Sequence, residues 1–414
     1  MSRPHGVLLA VLALCLGGVT ACGVVTPPPS TARADRTADP AASRAPSTPA
    51  SAPASAPTHP SDLGADLDIG TFERDLSGTT LEFISDGEAI VYSSSRAADA
   101  GPRGSPDLWR YEPGADEPVL LWRNPQRDNA IVKMAGEYGT VAFVDIPLTG
   151  ERAWNLWLIP EPGAEAVLLD SHPGDEDVSS LVPSIAIYRP IVAWTAFDRG
   201  PAGPVSQLIV AEGPDWTPRV VQERRAAEAE LWLPSLYGAD MVYTEVRYSE
   251  DRSRDERFVH LLDLSNPGAE PRRLDASGRA TMPLILDDVV LWKEAEPGFN
   301  MFNWGEMYRF DLATGEVRRI STWPQDAVNY PSIGERFAAW WGADSFSFGV
   351  YDVERDEPRL IERFPADSQD NVLRPHVAGS LLVWLFVDGA AAGGPSELRY
   401  AFLPTAGADR LEPP

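Results

Sequence analysis

Residues 283–320 decide the fold. They read Pro283-Leu284-Ile285, a turn at Asp287-Asp288, Val289-Val290-Leu291-Trp292, a longer connection, Glu306-Met307-Tyr308-Arg309-Phe310-Asp311, a turn at Ala313-Thr314-Gly315-Glu316, and Val317-Arg318-Arg319-Ile320. Four short runs of strand-forming residues joined by turns describe one small antiparallel sheet. The third and fourth runs alternate apolar and polar residues, as half-buried strands do. The second is apolar throughout, as a strand covered on both faces must be.

The apolar second run recurs along the chain and each time closes on an aromatic residue. The positions are Tyr92, Phe143, Trp194, Tyr243, Trp292, Trp340 and Trp384, with gaps of 51, 51, 49, 49, 48 and 44 residues. Pro183-Ser184-Ile185, Pro234-Ser235-Leu236, Pro331-Ser332-Ile333 and Pro375-His376-Val377 open the corresponding units. A period of 40–50 residues made of strand signals means stacked β-sheets, most simply a propeller. The reading is therefore all-β: seven blades of four antiparallel strands, with the repeated aromatics packed between neighbouring blades. The last unit could find its fourth strand at Arg410-Leu411. Ile69-Gly70-Thr71-Phe72-Glu73 is the favoured alternative, since a strand supplied from the other end of the chain latches the ring and removes an exposed edge.

The unit Pro-x-Ile, turn, Val-Val-Trp, loop, Asp-x-Tyr-x-Tyr-Asp-Leu-x-Thr-Gly-Glu resembles the repeat of TolB-like β-propellers, most closely at residues 306–316. The resemblance covers residues 81–414 and implies the fold. Propellers of this kind serve as scaffolds, as lectin-like modules and as parts of enzymes, so it leaves function open. No separate α/β domain is read before the propeller, and the role of TolB itself is not carried over.

Ahead of the repeats the chain reads differently. Arg3, the apolar stretch Val7 to Leu16 and the small residues up to Ala21 have the layout of a signal peptide, with an apolar segment too short for a stable membrane anchor. Val19-Thr20-Ala21-Cys22 resembles a bacterial lipobox, which implies that Cys22 is lipidated and becomes the first mature residue. Cys15 is lost with the leader, so no internal disulfide is expected. Residues 22–63 are dominated by Pro, Ala, Ser and Thr, a composition that cannot bury a core and stays disordered. Stretched at roughly 3 Å per residue, this tether reaches about 100 Å. The expected organisation is thus 1–21 leader, 22–63 lipidated Cys and linker, 64–414 propeller. The expected location is the outer face of the cell membrane, as a monomer held through the lipid anchor.

A net charge of −26 argues against nucleic acid as a partner. There is no Gly-x-Ser-x-Gly, no His-Glu-x-x-His and no cysteine cluster, and the five histidines fall at non-equivalent places. Neither a metal nor a cofactor is expected. Two groups of residues stand out as binding candidates. One is aromatic: Phe299, Phe302 and Trp304 in the connection between the second and third strands of the fifth unit, with Trp341 directly after the sixth repeat aromatic. The other is polar: Asp128 and Asn129, Asp326 and Asn329, and Asp370, Asn371 and Arg374, all in connections leading into first strands, which a ring would bring to one channel mouth. The function read from the sequence is non-catalytic binding of a protein or polysaccharide of the cell envelope. The competing reading is a propeller enzyme of lyase or lactonase type with its site at that mouth.

Overall fold

The computed structural model describes residues 61–64, 67–72, 82–94, 107–125, 129–147, 153–174, 182–249, 255–295, 305–320, 328–342, 347–363, 371–387 and 396–405. They form seven successive antiparallel sheets. Blade 1 contains Phe83–Ser85, Ile90–Ser94, Asp107–Tyr111 and Val119–Trp122, and blade 2 Asn129–Glu137, Thr140–Pro147, Trp154–Ile159 and Val167–His172. Blade 3 contains Ile185–Tyr188, Ile191–Gly200, Gly203–Glu212 and Arg219–Arg225, and blade 4 Ala229–Tyr237, Asp240–Tyr248, Asp255–Asp263 and Arg272–Arg273. Blade 5 contains Ala280–Leu286, Val289–Ala295, Gly305–Asp311 and Val317–Arg319, and blade 6 Val328–Ile333, Phe337–Gly342, Ser347–Asp352 and Glu357–Arg363. Blade 7 takes Asn371–Ala378, Leu381–Val387 and Ser396–Phe402 from the end of the chain, and Gly70–Phe72 from near its beginning.

The seven repeated aromatics are buried, and each packs against the blade before its own. Tyr92 meets Leu381, Val383 and Leu398 of blade 7. Phe143 meets Val91 and Leu108 of blade 1, and Trp194 meets Ala142, Val144 and Leu156 of blade 2. Tyr243 packs on Ala193, Leu208 and Val210, and Trp292 on Val242 and Val259. Trp340 packs on Val289, Leu291 and Met307, and Trp384 on Ala339, Phe348 and Val350. The period in the sequence is therefore the period of the interfaces, and truncating one such aromatic costs about 3–5 kcal/mol.

The inner strands add polar ties. Ser235 Oγ accepts the Ile285 N–H of the next blade at 3.2 Å, and Ser332 Oγ accepts that of Val377 at 3.0 Å. His376 Nδ1 accepts the N–H of Ser85 at 3.2 Å, joining blade 7 to blade 1. Each of these three residues pairs across its blade with the residue just before the repeat aromatic. In blades 4, 5 and 7 the inner strand carries a bulge in which the residue before the proline is left-handed: Leu233 at φ 51°, Met282 at 53° and Arg374 at 52°. A repeated backbone exception of this kind is a built feature of the wall, since one non-glycine residue there costs about 1–3 kcal/mol. Blade 3 departs from the expected pattern. Its inner strand begins at Ile185, so Pro183-Ser184 precede the strand instead of opening it.

Ring closure follows the latch expectation. Gly70, Thr71 and Phe72 pair antiparallel with Tyr400, Arg399 and Leu398. Phe72 enters the junction of blades 7 and 1, with its ring 5.2 Å from Tyr92 and 4.5 Å from Tyr111. Upstream of this, Ser61–Asp62 runs parallel to Arg359 and Leu360, making blade 6 five-stranded. The ring therefore reaches upstream of Gly64. The alternative strand at Arg410-Leu411 lies outside the described residues.

Candidate binding site

All first strands run in the same axial sense, so the channel has two unlike ends. At one end lie the starts of the first strands. At the other lie the short turns between first and second strands.

The turn end is tied together. Tyr138, in the blade 2 turn at φ 45°, donates its hydroxyl to Glu335 in the corresponding turn of blade 6. Blades 1 and 7 stand between them and contribute glycines: a Cβ on Gly379 would lie 2.9 Å from the Tyr138 hydroxyl, and one on Gly87 3.1 Å from its ring. Main-chain bonds run from Tyr138 N–H to the Asp86 carbonyl and from Glu335 N–H to that of Gly379 at 3.0 Å. Arg189 of blade 3 extends the cluster, giving its N–H to Glu137 at 2.5 Å and its guanidinium to the Tyr138 carbonyl at 2.8 Å. Burial first, and then Glu335, raises the Tyr138 pKa. Burial likewise raises that of Glu137.

The opposite end holds the polar candidates that fall within the described residues. Asn129 and Asn371 are the first residues of their inner strands, and Asn329 is the second residue of its own. The three thus sit within strands, not in the connections before them, because pairing with the second strand begins earlier than the sequence suggests. Asn129 is buried, and its amide donates to the carboxylate of Asp145, which also accepts Trp157 Nε1–H at 2.9 Å. Its side chain is thereby committed inside blade 2. Arg374 lies further along the blade 7 inner strand, where the left-handed bulge turns it toward blade 1. There it pairs with Glu82, its guanidinium 5.7 Å from the centre of the Phe83 ring. Two positions later His376 is held neutral: burial, and then Arg374, push its pKa down to about 4. That matches its role as an acceptor, which only the neutral ring can fill.

Of the aromatic candidates, Trp341 belongs to the blade 6 second strand and lies opposite Asn329 in register, so the structure brings these two candidates together. Phe299, Phe302, Trp304, Asp128, Asp326, Asp370 and Cys22 lie outside the described residues. Sequence reasoning missed Tyr138, Glu335 and Glu82. Tyr138-Gly139 does read as a turn, but a partner 197 residues away leaves no trace in local pattern.

No protein-family profile and no curated protein matches the sequence. Solved structures do match. A prolyl endopeptidase aligns with a TM-score of 0.52 at 14% identity, over 80% of this chain and 50% of its own. The chain thus spans half the length of that enzyme. An oligogalacturonate lyase from Vibrio parahaemolyticus aligns with a TM-score of 0.50 at 10% identity, over 82% of this chain and 97% of its own. TolB from Acinetobacter baumannii aligns over 78% of each chain at 12% identity, with a TM-score of 0.40. The chain is a seven-bladed β-propeller whose structural neighbours include TolB and both enzymatic and non-enzymatic proteins. At these identities the likeness is one of fold.

Proposed function

We propose that this protein is a membrane-tethered, non-catalytic binding module. Its ligand is a protein or polysaccharide of the cell envelope, and the binding face is the channel end where the inner strands begin. The observation that supports the choice of end is the Tyr138–Glu335 tie, which draws the turns of five blades together at the other end. Arg374 on the wall is the cationic group, and Phe302, Trp304 and Trp341 are the aromatic groups, that this reading assigns to ligand contact. In this reading Cys22 carries the lipid, and the linker lets the head search the space outside the membrane.

The test is a cross-linking pull-down from membranes with the anchored protein, set beside Phe302→Ala/Trp304→Ala and Arg374→Gln. Capture of one defined partner or glycan, weakened by about 2 kcal/mol or more in the variants on the hot-spot scale, supports the reading. Capture that the variants do not affect moves the site elsewhere on the ring. For the anchor, Cys22→Ala should leave the protein unprocessed or release it from the membrane fraction. An unchanged mass and unchanged fractionation would refute lipidation.

A further inference from the structure

The junction of blades 3 and 4, away from the channel, gathers positive charge in an otherwise acidic protein. On the face of blade 4 that packs against blade 3, the second strand places Tyr243, Glu245 and Arg247 in a row. The third strand places His260, Phe258 and Glu256 opposite them, and the fourth places Arg273 opposite His260. Blade 3 contributes Arg224 from its outer strand. Glu245 is buried, and accepts Arg224 Nε–H at 3.1 Å and Arg247 Nε–H at 2.6 Å. Phe258 is flanked by two guanidiniums, Arg273 at 3.7 Å from the ring centre and Arg247 at 5.2 Å. Two arginines thus hold one buried carboxylate, two lie against one aromatic ring, and all three act electrostatically on His260.

Two further features point to a ligand. Nε–H of Arg247 is taken by Glu245 and Nε–H of Arg273 by the Asp275 carbonyl at 2.7 Å, and both arginines are exposed. Between Tyr243 and Arg273 in register, His260, only 6% exposed, has no hydrogen-bond partner on either ring nitrogen, and the buried Tyr243 hydroxyl has none either. The two rings stack at 5.4 Å, 15° apart. Burial lowers the His260 pKa. Glu245 opposes this, and Arg247, Arg224 and Arg273 add to it. Buried polar groups without partners are rare and call for a reason.

We propose that Arg224, Arg247 and Arg273, with His260 as the floor, form a binding site for a tetrahedral oxyanion of the phosphate type, free or carried on a larger molecule. The forked N–H groups of arginine match such oxygens in pairs. The anion would also give the His260 ring a partner.

Titration calorimetry with inorganic phosphate at constant ionic strength tests this. Wild type should bind saturably. Arg247→Gln and Arg273→Gln should each weaken binding about tenfold or more, the scale of a lost charge-assisted pair. Arg225→Gln, on the exposed rim nearby, should leave it unchanged. His260→Phe keeps the stack on Tyr243 and removes the two nitrogens. It should weaken phosphate binding without lowering the unfolding midpoint, whereas a histidine that only packs would leave phosphate binding unchanged. Flotation with phosphatidylglycerol vesicles separates the sources. Arginine-dependent flotation that phosphate competes away identifies a lipid headgroup, and its absence alongside phosphate binding identifies a soluble or polymer-borne phosphate. Absence of saturable heat, or equal binding in wild type and both arginine variants, overturns the site.

Discussion

Tyr138 and Glu335 belong to blades 2 and 6, with two blades between them, yet the phenol of one hydrogen-bonds the carboxylate of the other. Sheet pairing and the aromatic interfaces join only neighbouring blades, so a bond between non-neighbours opposes any opening of the ring at blades 1 and 7. Tyr138→Phe should lower stability by about 0.5–1.5 kcal/mol, the usual net worth of a hydrogen bond. In a double-mutant cycle with Glu335→Gln the two changes should be coupled. Gly379→Ala should cost more, because φ is +51° and the added methyl would lie 2.9 Å from the Tyr138 hydroxyl. Urea unfolding of the four variants checks this, and additive effects of the first two would show that the bond contributes nothing.

The N-terminal latch should be equally exacting. A Cβ on Gly64 would stand 1.8 Å from the Ile361 carbonyl oxygen, and one on Gly70 2.2 Å from the Tyr400 ring. The first contact is with backbone and cannot be relieved by rotating a side chain. Gly64→Ala should therefore displace the strand on blade 6, and Phe72→Ala should cost about 3–5 kcal/mol at the junction of blades 7 and 1. Limited proteolysis gives the readout: cleavage within residues 61–72 should appear first in these variants. Equal resistance in wild type and variants would mean that the ring holds without its latch.

Strand order and blade count were legible because each blade needs one large aromatic at its interface, and Tyr92 through Trp384 repeat that need at nearly constant spacing. The latch was legible as well, since Gly70-Thr71-Phe72 could serve as the outer strand that the last unit needed. The candidate site was less so. Asn129 looks like any turn-forming residue in sequence, and only packing reveals that its amide is committed to Asp145. Arg224, Glu245 and His260 lie on three strands of two blades, and no spacing rule links them. Contacts fixed by strand periodicity could be read from the sequence. Polar contacts between particular side chains depend on twist and register, which sequence patterning does not encode.

Stability should fall in acid through His376. Its pKa in the folded protein is about 4, below the ordinary 6.5. Between those values the unfolded chain binds a proton that the native ring refuses, so stability is full above about pH 6.5 and declines as pH falls toward 4. At about 1.4 kcal/mol per pKa unit this amounts to roughly 3–4 kcal/mol. His376→Gln keeps an acceptor for the Ser85 N–H and removes the titration. Its unfolding midpoint should depend less on pH across that window than the wild type's. Parallel profiles would assign the acid sensitivity to other groups.

Lys293 should act in a higher window. It is fully buried on the face of blade 5 turned to blade 6, and burial, with Arg257, lowers its pKa to about 7. The ordinary value is 10.5, so between about pH 7 and 10.5 the unfolded chain is again the more protonated state, and this group's contribution to stability rises with pH. The choice of lysine is physically pointed. Of the 35 basic residues only this one and Lys133 are not arginine, and arginine cannot shed its charge when buried. Lys293→Met conserves length and apolar stem while removing the titrating amine, so its unfolding midpoint should depend less on pH between 7 and 10 than the wild type's. Lys293→Arg should destabilise at both. Thermal unfolding of the three proteins at the two pH values decides the matter: the same pH dependence in wild type and the methionine variant would mean that the amine is held charged.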